Sequence, residues 1–205
     1  MFQSFDKSIS SSQNQLGARR NNMQDNILTV TANEFDHHIG PLNAPIVIVN
    51  YSDFLCPYSA VAASVFNRLT FEYGNEICYV FRHFPMRGIH PNAEFASLAA
   101  EAAHEQKQFW NFYKLLFDNQ DDISLDRIEL ICARLNIDIE ELYIDMGRIE
   151  LLDRINDDQK SGFLSGVEVT PTIFINNIKY DGPTSYWAIR EAVEKELYGS
   201  SPAFL

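Results

Sequence analysis

An apolar run that leads into a cysteine and a proline constrains the fold of this chain more than any other feature. Residues 46–51 have the length and the β-branched content of a buried strand. Residues 60–69 place apolar side chains at helical spacing, so a helix follows the strand. Cys56 lies at this junction, and Pro57 takes a position just inside the helix, where an N–H group is not needed. The sequence predicts a strand–turn–helix unit with a cysteine at the start of the helix.

Cys56 is the first candidate catalytic residue. Free N–H groups and the helix dipole stabilise an anion at a helix start, which favours the reactive thiolate, and we expect this thiol to be exposed. Ser59 stands where the C-x-x-C pattern of disulfide exchange has its second cysteine. An alcohol does not resolve a mixed disulfide, but we expect the Ser59 hydroxyl to donate a hydrogen bond to the Cys56 sulfur.

A second motif lies far downstream, where residues 167–176 read VEVTPTIFIN. It resembles the segment that carries the cis-proline of thioredoxin-fold proteins. The chain also contains a set of short motifs at matching places: Gly40-Pro41, Ala44-Pro45, Asp53-Phe54, Phe81-Arg82-His83-Phe84-Pro85, His90-Pro91 and Phe109-Trp110. Together they resemble the DsbA-like branch of the thioredoxin superfamily, in particular the domains found free or fused to sodium/proton antiporters. The resemblance covers roughly residues 33–197.

The resemblance implies an α/β fold of thioredoxin type with an inserted helical domain. Residues 27–90 and 166–200 would form the thioredoxin-fold domain, and residues 91–165 would form the insertion. The polar residues 1–26 are expected to be a disordered tail. A short strand is predicted over residues 27–31.

The resemblance also implies the activity, that of a thiol–disulfide oxidoreductase acting through one nucleophilic cysteine. Cys56 and Ser59 would be the catalytic pair, while Pro57, Tyr58, Thr170 and Pro171 would contact the substrate. A cis bond before Pro171 would bring its loop against Cys56 and offer the backbone of Thr170 to an extended peptide. Cysteine-containing proteins or glutathione would be the partners, glutathione as a co-substrate, with no metal and no other cofactor.

Two other functions share this fold. A glutathione-dependent transferase or isomerase of kappa type also combines a thioredoxin fold with inserted helices. In those enzymes, however, the motif begins with Ser-Pro and not with Cys-Pro, and no clear clamp for the glutathione carboxylates stands out in this sequence. A non-enzymatic module that holds peptides in the groove beside the cis-proline is the other alternative.

Composition narrows the remaining classes. The formal net charge of −12 argues against a nucleic-acid partner. No stretch has the apolar length of a signal peptide or a membrane span, so the sequence predicts a cytoplasmic location, whereas DsbA-like proteins are mostly exported.

The other two cysteines are expected to be buried and inert, Cys78 in a predicted strand and Cys132 in a predicted helix. Of these two, Cys78 is the alternative candidate for a thiol that resolves a disulfide at Cys56.

Several polar residues receive a structural interpretation. His37 and His38 are expected at the exposed end of a short helix over residues 32–38, since no other metal-ligating residues accompany them in the sequence. His83 and His90 are expected to be solvated or capping residues. Asp53 is interpreted as a polar residue at a strand end.

Overall fold

The computed structural model of the chain describes residues 26–199, and the tail predicted over residues 1–26 lies outside this range except for Asn26. The described chain contains both strands and helices, as expected for an α/β protein. The strands are β1 (His37–Ile39), β2 (Ile46–Ser52), β3 (Ile77–His83), β4 (Thr172–Ile175) and β5 (Ile178–Lys179). The helices are α1 (Pro57–Tyr73), α2 (Ala93–Glu105), α3 (Phe109–Asp118), α4 (Leu125–Leu135), α5 (Ile139–Met146), α6 (Ile149–Leu164) and α7 (Tyr186–Tyr198).

The strands form one mixed sheet in the order β1-β3-β2-β4-β5 within residues 26–199. Strand β2 lies in the middle, where it runs parallel to β3 and antiparallel to β4. Helices cover both faces of the sheet, so β2 is buried on both sides and its sequence is an almost continuous apolar run. The predicted α/β class is confirmed.

The two faces of the sheet have different cores. The larger core holds Ile48, Phe66 and Phe81 and extends into the helices that follow β3. The smaller core, on the opposite face, includes Phe84 and packs against α6. Helix α6 comes so close that a Cβ atom on Gly162 would lie 2.8 Å from Cε2 of Phe84. A glycine is therefore required there for close packing.

Helices α2 to α6 separate β3 from β4 along the chain, in the segment where the insertion was predicted. They pack on one another, with α2 in contact with α3, α5 and α6. Helix α6 also contacts β3, so this helical layer is joined directly to the sheet.

The N-terminal part of the described chain differs from the prediction. Instead of a strand over residues 27–31, there is a single bridge between Ile27 and Ile178, next to a hydrogen bond from the Leu28 N–H to the Asn177 carbonyl. This segment lies next to β5 at the edge of the sheet. Because β5 is only two residues long, it offers too few backbone groups to pair with a longer strand.

The helix predicted over residues 32–38 is wrong. Asn33 begins a turn, because its side-chain oxygen accepts the Phe35 N–H at 3.0 Å and its N–H donates to the Asp36 carboxylate at 2.8 Å. These local hydrogen bonds compete with helix formation. The residues after the turn form β1, and His37 pairs with Phe81 of β3. His37 is consequently buried in the structure instead of lying at an exposed helix end.

Among residues 26–199, no helix combines the length and the apolar character that crossing a bilayer requires.

Candidate active site

Cys56 occupies the N-cap position of α1, and Pro57 is the first residue of the helix. The N–H groups of Ser59 and Ala60 both donate to the Cys56 carbonyl, at 3.0 and 3.3 Å, so the first turn is formed directly on the cysteine. Strand β2 ends only four residues earlier, at Ser52. The predicted strand–turn–helix junction is therefore present.

The Cys56 thiol lies against the loop that precedes β4. Its Sγ donates a hydrogen bond to the Thr170 carbonyl at 3.1 Å, and the Thr170–Pro171 peptide bond is cis. The pairing of β4 with β2 brings the two together, because Thr172 lies opposite Tyr51 near the end of β2. This loop covers the thiol, and only 6% of Cys56 is exposed. The prediction of an exposed thiol is wrong for this reason.

Ser59 lies one helical turn after the cysteine and is fully buried. Its Oγ accepts a long hydrogen bond, 3.4 Å, from the N–H of Asp53. The hydrogen-bond partner of the Cys56 sulfur is Thr170 and not Ser59, in contrast to the expected donation from the Ser59 hydroxyl.

Asp53 has a larger role than that of a polar strand end. Its buried carboxylate accepts three hydrogen bonds of 2.8 Å, from the N–H groups of Leu55 and Met86 and from Nδ1 of His90. The Asp53 carbonyl also accepts the N–H of Cys56 at 3.1 Å. Asp53 thus joins the turn that carries the cysteine to the segment after β3. His90, expected to be a solvated or capping residue, bonds to the carboxylate in this turn.

Gln120 is a site residue that the sequence did not reveal. It follows α3, and its Nε2 donates to the carbonyls of Phe54 and Cys56, at 3.0 and 3.2 Å. These bonds tie the helical layer to the turn that positions the thiol. Only the contact across 64 residues gives Gln120 this role, since the local sequence shows a polar residue after a helix and no motif.

Two apolar residues close to the site along the chain are exposed. Tyr58, two residues after Cys56, is 70% exposed, and Val169, directly before Thr170, is 63% exposed. Thr170 and Pro171 are half-buried. The structure therefore places Thr170 against Cys56, while Pro57 and Tyr58 follow the cysteine in the first turn of α1.

The other two cysteines lie in different surroundings. Cys78 and Cys132 are both buried, and burial raises the pKa of each thiol to about 11. Cys78 pairs with Val47 near the start of β2, whereas Cys56 follows the far end of that strand. The five residue-to-residue steps from Val47 to Ser52 span about 17 Å of strand. A disulfide needs Cα atoms within about 7 Å, so Cys78 is not placed to resolve a disulfide at Cys56.

We predict that Cys56 is alkylated first in the folded protein. At about pH 8 the raised pKa values keep the Cys78 and Cys132 thiols protonated and unreactive, and labelling of both should increase only as the pH approaches 11. Peptide mapping after brief iodoacetamide treatment measures this order, and urea-unfolded protein, which should react at all three thiols, is the control. Equal labelling of the three cysteines in the folded protein would contradict the assignment.

Known proteins share this architecture. The crystal structure of oxidised BdbD from Bacillus subtilis superposes with a TM-score of 0.74 at 21% identity, over 85% of this chain and 100% of that one. A thioredoxin-like oxidoreductase from Silicibacter pomeroyi gives a TM-score of 0.71 at 21% identity, over 80% and 92%. Wolbachia pipientis alpha-DsbA1 gives 0.69 at 20%, over 81% and 92%. At these identities the likeness establishes the fold, which is the DsbA-like thioredoxin fold predicted from the motifs.

Sequence relatives include sodium/proton antiporters. NhaA 1 of Mycolicibacterium vanbaalenii is 35% identical over 162 residues, which are 78% of this chain and 26% of the antiporter. NhaA 3 of Salinispora tropica is 36% identical over 158 residues, 77% of this chain and 24% of that protein. This chain thus spans about a quarter of the length of these relatives. The family model described as Thioredoxin matches residues 32–195, and the chain therefore belongs to the thioredoxin family.

Proposed function

We propose that this chain is a thiol–disulfide oxidoreductase of DsbA type that works through Cys56 alone. The observation that carries the proposal is the position of the Cys56 sulfur at the start of α1, 3.1 Å from the backbone oxygen of Thr170. Helix starts favour the thiolate that attacks disulfides, and the loop at Thr170 offers backbone groups beside it. Cysteine-containing proteins and glutathione are the proposed reaction partners.

The first step is the attack of the Cys56 thiolate on one sulfur of a substrate disulfide. A bond forms between Cys56 and that sulfur, the substrate S–S bond breaks, and the other substrate sulfur leaves as a thiolate that takes up a proton. The product is a mixed disulfide between Cys56 and the substrate. The sulfur becomes accessible to the substrate when the Thr170 carbonyl exchanges its contact with the thiol for contacts with the substrate backbone.

The substrate is proposed to lie in extended form along the loop before β4. Backbone groups of Thr170 would pair with it as with an added strand, and Pro171 would shape the loop that faces the sulfur. Tyr58, which is largely exposed next to Pro57, would supply an apolar contact on the helix side. This arrangement selects for an exposed cysteine in a flexible segment, because a sulfur within a rigid core does not reach the loop.

An external thiol completes the reaction, since Ser59 is an alcohol and Cys78 lies far along the sheet. A glutathione thiolate attacks the mixed disulfide at the Cys56 sulfur and releases the substrate as a thiol. A second glutathione then attacks the sulfur of the bound glutathione, which restores the Cys56 thiolate and forms oxidised glutathione. Two glutathione molecules thereby supply the two electrons that reduce one substrate disulfide.

We predict that the protein reduces insulin in the presence of reduced glutathione and that Cys56→Ala lowers the rate to that of glutathione alone. Cys132→Ala is the matched control, because it removes a buried thiol from α4 and should retain the wild-type rate. The turbidity of precipitating insulin measures the reaction, and thermal unfolding verifies that both variants fold. Equal activity of Cys56→Ala and the wild type would exclude the proposed nucleophile.

We also predict that Ser59→Cys converts the site into a dithiol pair. The hydrogen bond from the Ser59 N–H to the Cys56 carbonyl places the two residues one helical turn apart, which is within the reach of a disulfide. The variant should form an intramolecular disulfide and catalyse exchange without glutathione. Ser64→Cys, on the same helix but away from the thiol, is the control. If Ser59→Cys gains neither the disulfide nor the activity, the proposed exchange geometry at Cys56 is wrong.

A further inference from the structure

Two buried histidines share one carboxylate oxygen on the helical side of the sheet. Nε2 of His37 and Nε2 of His83 each lie 2.7 Å from Oε1 of Glu101. The three residues come from β1, β3 and α2, and each is buried. One ligand atom from each residue lies within 4.8 Å of the others. Residues that are distant in sequence thus converge on one point.

The polar atoms of this cluster are not all satisfied by the described part of the chain. Nδ1 of His83 and Oε2 of Glu101 are buried and lack a hydrogen-bond partner among residues 26–199. Nε of Arg154 lies 2.9 Å from Oε2 of Glu101, an ionic contact without hydrogen-bond geometry. Buried polar atoms without partners are costly, so the hydrogen bonding of this cluster is incomplete among the described residues.

The residue types of the cluster suit a divalent metal. Imidazole nitrogens and carboxylate oxygens are side-chain atoms that bind zinc, and the cluster supplies two of the first and one of the second.

A surface cavity reaches one member of the cluster. It has a volume of about 410 Å³, and His37 forms part of its wall together with His38, His104 and Glu34. The ring of His104, an exposed residue, lies 4.7 Å from the ring of His37 between centroids. Of the three cluster residues, His37 lines this cavity, whose wall also includes Lys107.

We propose that His37, His83 and Glu101 form a binding site for a divalent transition-metal ion of the zinc type. Two imidazole nitrogens and one carboxylate oxygen are a ligand set that zinc uses when its fourth position is left to solvent. The ion would lie between the two Nε2 atoms and Oε1, with both histidines in the tautomer that carries its proton on Nδ1. Arg154 keeps its contact with the other carboxylate oxygen and so holds Oε1 toward the histidines.

The required rearrangement is small. Metal–nitrogen bonds of about 2.0–2.1 Å in a tetrahedral arrangement separate two ligand atoms by about 3.3 Å. The present 2.7 Å contacts from the histidines to Glu101 would therefore lengthen by about 0.6 Å, which side-chain rotations can supply. This site does not include Cys56, so its existence is independent of the proposed disulfide exchange.

Cobalt(II) is the probe, because its visible d–d bands report tetrahedral coordination and its ligand-to-metal bands reveal any thiolate ligand. The experiment uses the Cys56→Ala protein, freed of metal by a chelator, so that the reactive thiol cannot bind the ion. We expect one cobalt ion per chain, d–d bands without thiolate bands, and displacement by zinc. The absence of these bands at equimolar cobalt would overturn the proposal, whatever the folding of any histidine variant.

Histidine variants in the same background locate the ion. His37→Gln should weaken zinc binding by about tenfold or more in a chelator competition, since it removes a ligand. His38→Gln is the matched control, because His38 is the next residue in β1 and its ring Nδ1 bonds the Gly40 carbonyl instead of Glu101. The control should bind zinc as tightly as the parent. Equal affinities of the two variants, with both folded by circular dichroism, would refute the assignment of His37 as a ligand.

Discussion

The pairing of β2 with both of its neighbours positions the candidate site. Strand β2 runs parallel to β3 and antiparallel to β4, and helix α1 begins where β2 has ended. Because β4 runs antiparallel to β2, the loop before β4 lies at the C-terminal end of β2, where Cys56 also lies. The contact between the Cys56 sulfur and the Thr170 carbonyl is a consequence of this strand order, as is the distance from Cys78 at the other end of the sheet.

Buried carboxylates organise two separate regions around this sheet. Asp53 connects the turn of Cys56 to the segment after β3 through three hydrogen bonds, which its carboxylate accepts from two backbone N–H groups and His90. Glu101 holds two histidines from the sheet against α2. A hydrogen bond to a charged group contributes about 1.5–3 kcal/mol, so each carboxylate fixes the elements that it joins. The first supports the thiol, and the second forms the core of the proposed metal site.

Local patterns predicted the parts of the fold that depend on neighbours in sequence. The strand at residues 46–51 and the helix after it follow from the pattern of apolar residues, the helix start at Pro57 follows from the proline, and the structure has each of them. The helix over residues 32–38 was wrong, because side-chain hydrogen bonds of Asn33 and pairing with β3 compete with it.

Contacts between distant residues could not be predicted in the same way. The burial of Cys56 depends on Thr170, 114 residues away, and the role of Gln120 depends on a hydrogen bond across 64 residues. His37 seemed isolated from other metal-ligating residues, yet Glu101 lies 64 positions further along the chain and bonds to it. Hydrophobic periodicity and secondary-structure propensity carry no information on contacts between residues so far apart in the sequence. These contacts follow only once the strand order is known.

The most direct test of the single-cysteine account is the intact mass of the protein after treatment with oxidised glutathione. We expect one glutathione adduct per chain, located at Cys56 by peptide mapping and absent from Cys56→Ala. Nothing in the site resolves this adduct, because Ser59 is an alcohol and Cys78 lies far along the sheet. The adduct should persist until reduced glutathione is added. An intramolecular disulfide between Cys56 and Cys78 in place of the adduct would contradict the account.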